Sequence, residues 1–169
     1  MPTDIELDPS SLRDFFIVHL NKIYTAKSHL ISSLIILEEE AHFSDLKKGI
    51  RETIDDVQKQ QKRMEQVYQR LGIEFSEESS SGMLGLIKDS FEEIRQRSGQ
   101  PILRDLSMLF YLHNIESIEM ASFQLLQMIA VKMKDDKIKR LVRENYEDAK
   151  AGRTLLLLIT TKYLTSTSS

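Results

Sequence analysis

Cysteine is absent from the 169 residues, and proline and glycine are scarce, with three and six copies. Without cysteine the chain has no disulfides, thiolate metal sites or cysteine chemistry. Scarce proline and glycine favour long helices over sheets, because these two residues interrupt helices. No apolar run approaches the ~20 residues of a membrane span. The net charge of −3 provides no basic field for nucleic acid. We therefore expect neither a membrane nor a nucleic-acid partner.

The remaining composition is that of a globular protein. Hydrophobic residues make up 41% of the chain and charged residues 29%, which is enough for a single domain with a core over residues 1–169. The first six residues carry no basic-then-apolar signal, so we expect a cytoplasmic protein. Residues 1–9 and 165–169 are expected to be flexible ends.

Apolar residues recur at helical spacing through the first 72 residues. The first stripe begins at Ser10 or Ser11, either of which is expected to be the N-cap, and ends near residue 41. The second begins at Ser44, which we expect to be its cap, and stops at Gly72, a residue suited to a helix C-terminus. The short break between the stripes predicts an antiparallel helical hairpin.

A polar segment separates this hairpin from a second one. Residues 73–101 form the predicted crossover, with a short helix at 84–95. Residues 102–133 form the third long helix, and a tight turn at 134–136 leads into the last one. Two hairpins joined by one long crossover have the ferritin-like connection. The fold prediction is therefore an all-α, ferritin-like antiparallel four-helix bundle with an extra short helix in its crossover.

Two carboxylates interrupt the apolar sequence of the third long helix. At 100° per residue, Glu116 falls in the centre of an apolar stripe, and Glu119 lies three residues later on the same face. Burying a carboxylate without a partner costs several kcal/mol, so each needs a cation, a proton or a hydrogen-bond donor. Which of these it has is the functional question.

The other long helices also carry polar residues on or beside their apolar stripes. The first has Lys27, the second Asp56, and the last Glu144 and Asp148. Counting from the hairpin turns at ~1.5 Å per residue places Lys27 level with Asp56, and Glu119 level with Asp148. Polar groups from four helices are therefore predicted to meet in one layer of the core, where di-metal carboxylate bundles place their ligands.

Four segments of the chain resemble the YciE/YciF-type ferritin-like proteins. They are Leu-Arg-Asp-Phe-Phe-Ile and Leu-Asn-Lys-Ile-Tyr-Thr-Ala within residues 12–26, Arg-Met-Glu-Gln at 63–66, Gly-Met-Leu-Gly-Leu-Ile at 82–87, and Ile-Glu with Glu-Met-Ala-Ser within 115–122. They follow in the same order and at similar spacing over almost the whole chain. The resemblance implies a ferritin-like bundle, dimeric, of bacterial stress-associated proteins whose activity is not established.

Residue by residue, the carboxylate-rich centre implied by the resemblance is only partly present. Both glutamates of the third helix match. The Glu of the family's Tyr-x-Ala-Glu motif is Lys27 here, and the His-x-x-Glu of the second helix is Thr53 and Asp56. The Glu-Glu pair of the last helix is Asp148 followed by Ala149. Lysine is a cation without an acceptor atom, so it opposes a metal at that position.

Three hypotheses remain open. In the first, a buried network of Lys27 with Glu116, Glu119 and Asp148 or Asp56 replaces the metal centre. The protein then needs no cofactor, is non-catalytic and has a structural or stress-associated role.

In the second hypothesis the centre works as a metal site. Iron or manganese is then held by Asp56, Glu116, Glu119, Glu144 and Asp148, because oxygen ligands suit hard ions. The expected activity is that of an oxidase or a peroxide scavenger.

In the third hypothesis the bundle binds a small molecule or a partner helix in a groove beside the short crossover helix. The third long helix is also apolar on nearly every face, and Phe110, Leu125 and Met128 point away from the stripe of Glu116. A helix that is apolar all round needs cover on both sides. We therefore predict a homodimer through the third long helix.

Overall fold

The computed structural model describes residues 7–166, which form five α-helices and no strand. The helices are α1 (Pro9–Glu40), α2 (Ser44–Leu71), α3 (Ser81–Gln96), α4 (Pro101–Met133) and α5 (Asp136–Ser166). The all-α prediction is confirmed, and α3 is longer than the predicted short helix. Of the ends predicted to be flexible, residues 165–166 still belong to α5, and residues 1–6 and 167–169 lie outside the described residues.

The start of α1 differs from the prediction. Asp8 is the N-cap, in place of Ser10 or Ser11, and its Oδ2 accepts a hydrogen bond of 2.9 Å from the backbone N–H of Ser11. Pro9 follows as the first helical residue, a position where its missing N–H costs nothing. The aspartate is the better cap because its side chain reaches an otherwise unpaired N–H group of the first turn.

The start of α2 also differs, because a residue distant in sequence caps it. Phe43 occupies the N-cap position with no cap from its own side chain, and Ser44 is already helical. The fully buried carboxylate of Asp105 in α4 accepts hydrogen bonds from the backbone N–H of His42 at 3.0 Å and of Phe43 at 2.6 Å. A carboxylate is favourable there because it faces the positive end of the helix dipole.

The four long helices pack so that each contacts two of the others. α1 packs against α2 and α4, and α5 packs against the same two helices, while α3 lies against α4 and α1. The connections at 41–43 and 134–135 are short, whereas residues 72–100 with α3 span the distance between the two pairs. No helix within residues 7–166 is long and apolar enough to cross a membrane.

The core consists of two apolar clusters with polar side chains between them. One cluster includes Leu34, Ile50, Leu112 and Leu156, and the other includes Phe16, Met64, Phe123 and Leu141. Buried polar residues lie between the clusters along the helices, namely Lys27, Gln60, Glu116, Glu119 and Asn145. Of the candidate functional residues, Lys27, Glu116 and Glu119 are therefore in the middle of the core.

Candidate functional site

Lys27 is fully buried in the middle of α1 and has partners on two other helices. Its Nζ lies 2.9 Å from Oε2 of Glu119 in α4 and donates a hydrogen bond to Oε1 of Gln60 in α2. The same nitrogen is 5.1 Å from the centre of the Phe123 ring, within the range of a cation–π contact. An ammonium in a core needs such partners, because a buried charge left unpaired is strongly destabilising.

Glu116 lies one turn from Glu119 but has a different environment. Its side chain is nearly buried, and its Oε2 has neither a hydrogen bond nor an ion pair among the described residues, whereas Oε2 of Glu119 pairs with Lys27. Burial raises the pKa of Glu116 well above its usual range, the carboxylate of Glu119 raises it further, and the ammonium of Lys27 lowers it. The net effect is a raised pKa, so Glu116 keeps its proton to a higher pH than an exposed glutamate does.

Gly152 of α5 makes room for this carboxyl group. A Cβ atom at residue 152 would lie 3.1 Å from Oε1 and 3.3 Å from Cδ of Glu116. A glycine inside a helix costs about 1 kcal/mol relative to alanine, so its presence in the middle of α5 signals a close approach. The sequence reasoning missed this residue, although the glycine itself was the available signal.

Arg63 of α2 holds the two acidic residues of α5 that the sequence predicts as metal ligands. Its Nε lies 3.2 Å from Oε2 of Glu144, and its Nη1 pairs with Oδ2 of Asp148. Nη1 also donates to Oδ1 of Asn145 at 3.1 Å, and Nδ2 of Asn145 donates to the carbonyl oxygen of Gln60 at 3.2 Å. Glu144 and Asp148 therefore form ion pairs with Arg63 at the edge of the core.

The second helix supplies little to the centre at the positions predicted from the sequence. Asp56 is partly exposed, with its Oδ1 3.5 Å from Nζ of Lys59. Partial burial and the carboxylate of Asp148 raise the pKa of Asp56. Thr53 is buried and donates its hydroxyl to the carbonyl oxygen of Gly49 at 2.9 Å, one turn earlier in its own helix. Lys27 instead contacts α2 at Gln60, one turn after Asp56.

These side chains do not fit a di-metal centre. Such a centre takes about four carboxylates and two imidazoles, whereas here the ammonium of Lys27 lies against Glu119 and the guanidinium of Arg63 pairs with Asp148. Within residues 7–166, no group of three or more metal-binding side chains is arranged to hold an ion. The arrangement is a buried ion pair beside Glu116, a carboxyl group with a raised pKa.

Exposed apolar residues follow the outer side of α4. Phe110, Leu125 and Met128 are exposed to 64%, 61% and 63%. Contiguous exposed apolar patches often mark interaction surfaces, so these side chains are candidates for contact with a partner.

Comparisons with known proteins agree with this fold. The family described as a domain of unknown function (DUF892) matches residues 11–167. The structure is similar to that of YcfI from Rhodopseudomonas palustris, with 26% identity, coverage of 92% of this chain and 96% of that chain, and a TM-score of 0.82. It is also similar to the E. coli stress protein YciF, with 22% identity, coverage of 98% and 99%, and a TM-score of 0.85. No curated protein matches the chain. The resemblance to YciF-type proteins is confirmed.

Proposed function

The chain belongs to the family described as a domain of unknown function (DUF892), and from the ion pair in its core we propose a non-catalytic role for it. In this proposal the protein is a ferritin-like four-helix bundle whose metal centre has been replaced by a buried ion pair. The observation that carries the proposal is the fully buried ammonium of Lys27, 2.9 Å from Oε2 of Glu119.

The charges in the core support this replacement. Two metal ions in a carboxylate bundle balance several negative side chains. Here one ammonium faces Glu119, and the raised pKa of Glu116 favours a proton on the second carboxyl group. Arg63 balances Glu144 and Asp148 at the edge of the core. The side chains of the protein thus supply the positive charge that metal ions would otherwise provide.

The order and packing of the helices support the ferritin-like part of the proposal. Two pairs of long helices, α1 with α2 and α4 with α5, are joined by one long connection that carries α3. This is the connection of bundles with a single crossover. The similarity to YciF, at 22% identity, concerns the fold alone.

A structural role is the coarse function that we infer. YcfI, which is 26% identical to this chain, is described as a proposed structural protein. The stress-associated context comes from the resemblance to YciE/YciF-type proteins. A cytoplasmic location and a homodimer through α4 also stay predictions, the latter supported by the exposed side chains of Phe110 and Met128.

Metal analysis tests the proposal directly. The protein is purified without chelators, incubated with ferrous iron or manganese, desalted and analysed by mass spectrometry. We expect no stoichiometric transition metal in the protein. One or two ions per chain, lost in Glu119→Gln and kept in the exposed control Glu92→Gln, would overturn the proposal in favour of an iron or manganese protein.

A further inference from the structure

An apolar cleft lies between α1, α4 and the beginning of α3. Its volume is about 230 Å³. Side chains of Phe15 and Ile23 from α1 and of Ile118 and Leu125 from α4 form much of its wall. Glu119, which is almost entirely buried, also lines it, so the cleft extends from the surface to the buried ion pair.

Small side chains and a hydrogen bond from the crossover keep the cleft open. Ala26 and Ser122 line it from the two long helices, where larger residues would fill the space. The hydroxyl of Ser80 donates to the carbonyl oxygen of Lys22 at 3.1 Å and fixes the crossover to α1. This contact places Met83, in the first turn of α3, at the wall of the cleft.

Within residues 7–166, the cleft has an unpaired positive charge, that of Lys22. The carboxylate of Glu119 is already paired with Lys27. Lys22 lines the cleft and forms no ion pair among the described residues, and His19 beside it packs its ring against Phe15 at 4.3 Å. A pocket with apolar walls and few polar groups takes an apolar molecule that the polar groups orient. Lys22 would orient a negative group.

We propose that this cleft binds a small amphiphilic carboxylate, with its tail between α1 and α4 and its carboxylate on Nζ of Lys22. A cavity of about 150 Å³ accepts benzene, with its six carbons, so the larger volume here suits a carboxylate of about eight carbons in all. This binding activity is additional to the structural role and does not depend on the absence of a metal.

Calorimetry with octanoate tests the binding. We expect saturable binding of one octanoate per chain, weaker binding of 1-octanol, and the weakest binding of octylamine, whose ammonium is repelled by Lys22. Octylamine binding more tightly than octanoate would contradict the assigned carboxylate. Saturable binding absent for all three probes would overturn the proposal altogether.

Two variants locate the ligand. Lys22→Met should weaken octanoate binding about fivefold, the effect of losing a partly exposed ion pair, and should leave octanol binding unchanged. Ser122→Phe should weaken both about tenfold or more by filling the cleft. The matched controls are Lys62→Met and Thr161→Phe, at exposed positions away from the cleft, and they should bind octanoate as the wild type does.

The Met83 methyl resonance provides a local readout that does not rely on variants. Octanoate should shift this resonance and leave that of Met64, in the apolar core, unchanged. If octanoate binds equally to Ser122→Phe and the wild type, or if the Met83 signal stays in place at saturation, the ligand lies elsewhere and the proposal is wrong.

Discussion

Gly152 of α5 lies directly against the carboxyl group of Glu116 in α4, with only 3.1 Å between Oε1 and the position that a Cβ would take. Replacing the glycine by alanine should favour the helix by about 1 kcal/mol, while the new methyl group displaces the carboxyl group. We therefore expect Gly152→Ala to be clearly less stabilising in the wild type than in Glu116→Ala. Urea unfolding of the four proteins of this double-mutant cycle measures the difference. Equal effects in both backgrounds would contradict the contact.

Lys27→Met should destabilise the protein strongly. The substitution leaves the carboxylate of Glu119 in the core without its cation, and breaking a buried pair from one side costs about 3–5 kcal/mol. The exposed Lys59, which pairs with Asp56 at 3.5 Å, is the matched control, and Lys59→Met should cost less than about 1 kcal/mol. Chemical denaturation measures both.

The double variant Lys27→Met with Glu119→Leu separates the loss of a charge partner from the loss of packing. With both charges removed, the apolar replacements should restore most of the lost stability. If the double variant is no more stable than Lys27→Met, the ion pair does not explain the loss.

Glu116 should make the free energy of unfolding decrease as the pH rises above 4.5. Between its ordinary pKa of 4.5 and its raised pKa in the folded protein, the folded state binds a proton that the unfolded chain has released. The free energy of unfolding due to this group therefore falls as pH rises through this range. Below pH 4.5 the acid is protonated in both states, so the penalty disappears.

Glu116→Gln should remove this penalty. The stability of the variant relative to the wild type should increase from pH 4.5 upward, as measured by urea unfolding at several pH values up to about pH 8. Glu92→Gln, at an exposed position of α3, is the control for removing a surface carboxylate. A flat difference for Glu116→Gln would show that the pKa of Glu116 is not raised.

Asp105→Asn should loosen the connection between α1 and α2. Asparagine offers one acceptor oxygen where Asp105 now accepts from the N–H groups of both His42 and Phe43. An unsatisfied buried donor costs about 1–3 kcal/mol, whereas Asp89→Asn on the exposed face of α3 should be nearly neutral. Amide hydrogen exchange should be faster at residues 42 and 43 in Asp105→Asn. Unchanged protection there would contradict the cap.

The exposed side of α4 predicts self-association. Light scattering should give about twice the chain mass of 19.6 kDa, because large exposed apolar patches mark interfaces. Phe110→Glu with Met128→Glu should produce the monomer while leaving the helical circular dichroism unchanged. These two positions are chosen because Leu125 also lines the cleft. A monomeric wild type at high micromolar concentration would rule out the dimer.

The positions of the helices could be predicted from the sequence, because apolar spacing and the scarcity of proline and glycine are local signals. The group that caps α2 could not. Ser44 has the right residue type for a cap, but the N–H groups at that start bond to Asp105, about sixty residues away. A partner brought close only by the packing of α4 leaves no mark in the sequence around residue 44.

The buried pair of Lys27 and Glu119 was accessible to sequence reasoning, since both lie on apolar faces and have opposite charges. The sequence left Asp148 or Asp56 as the further member of the network, because counting residues from a turn locates a level only to within about one helical turn of 5.4 Å. The ammonium meets Gln60 and not Asp56. Arg63 was not predicted as the partner of Asp148, because the long side chain of arginine can reach groups well away from its own backbone.

The buried lysine also has a consequence for how the helices align along one another. Two leucine-rich faces can slide along each other by one turn, about 5.4 Å, and still bury similar apolar area. After such a slide, the ammonium of Lys27 would face a neighbouring apolar layer instead of Glu119 and Gln60, an arrangement that an unpaired buried charge makes costly. We infer that these three residues select one alignment of α1, α2 and α4 from several that hydrophobic packing alone would accept.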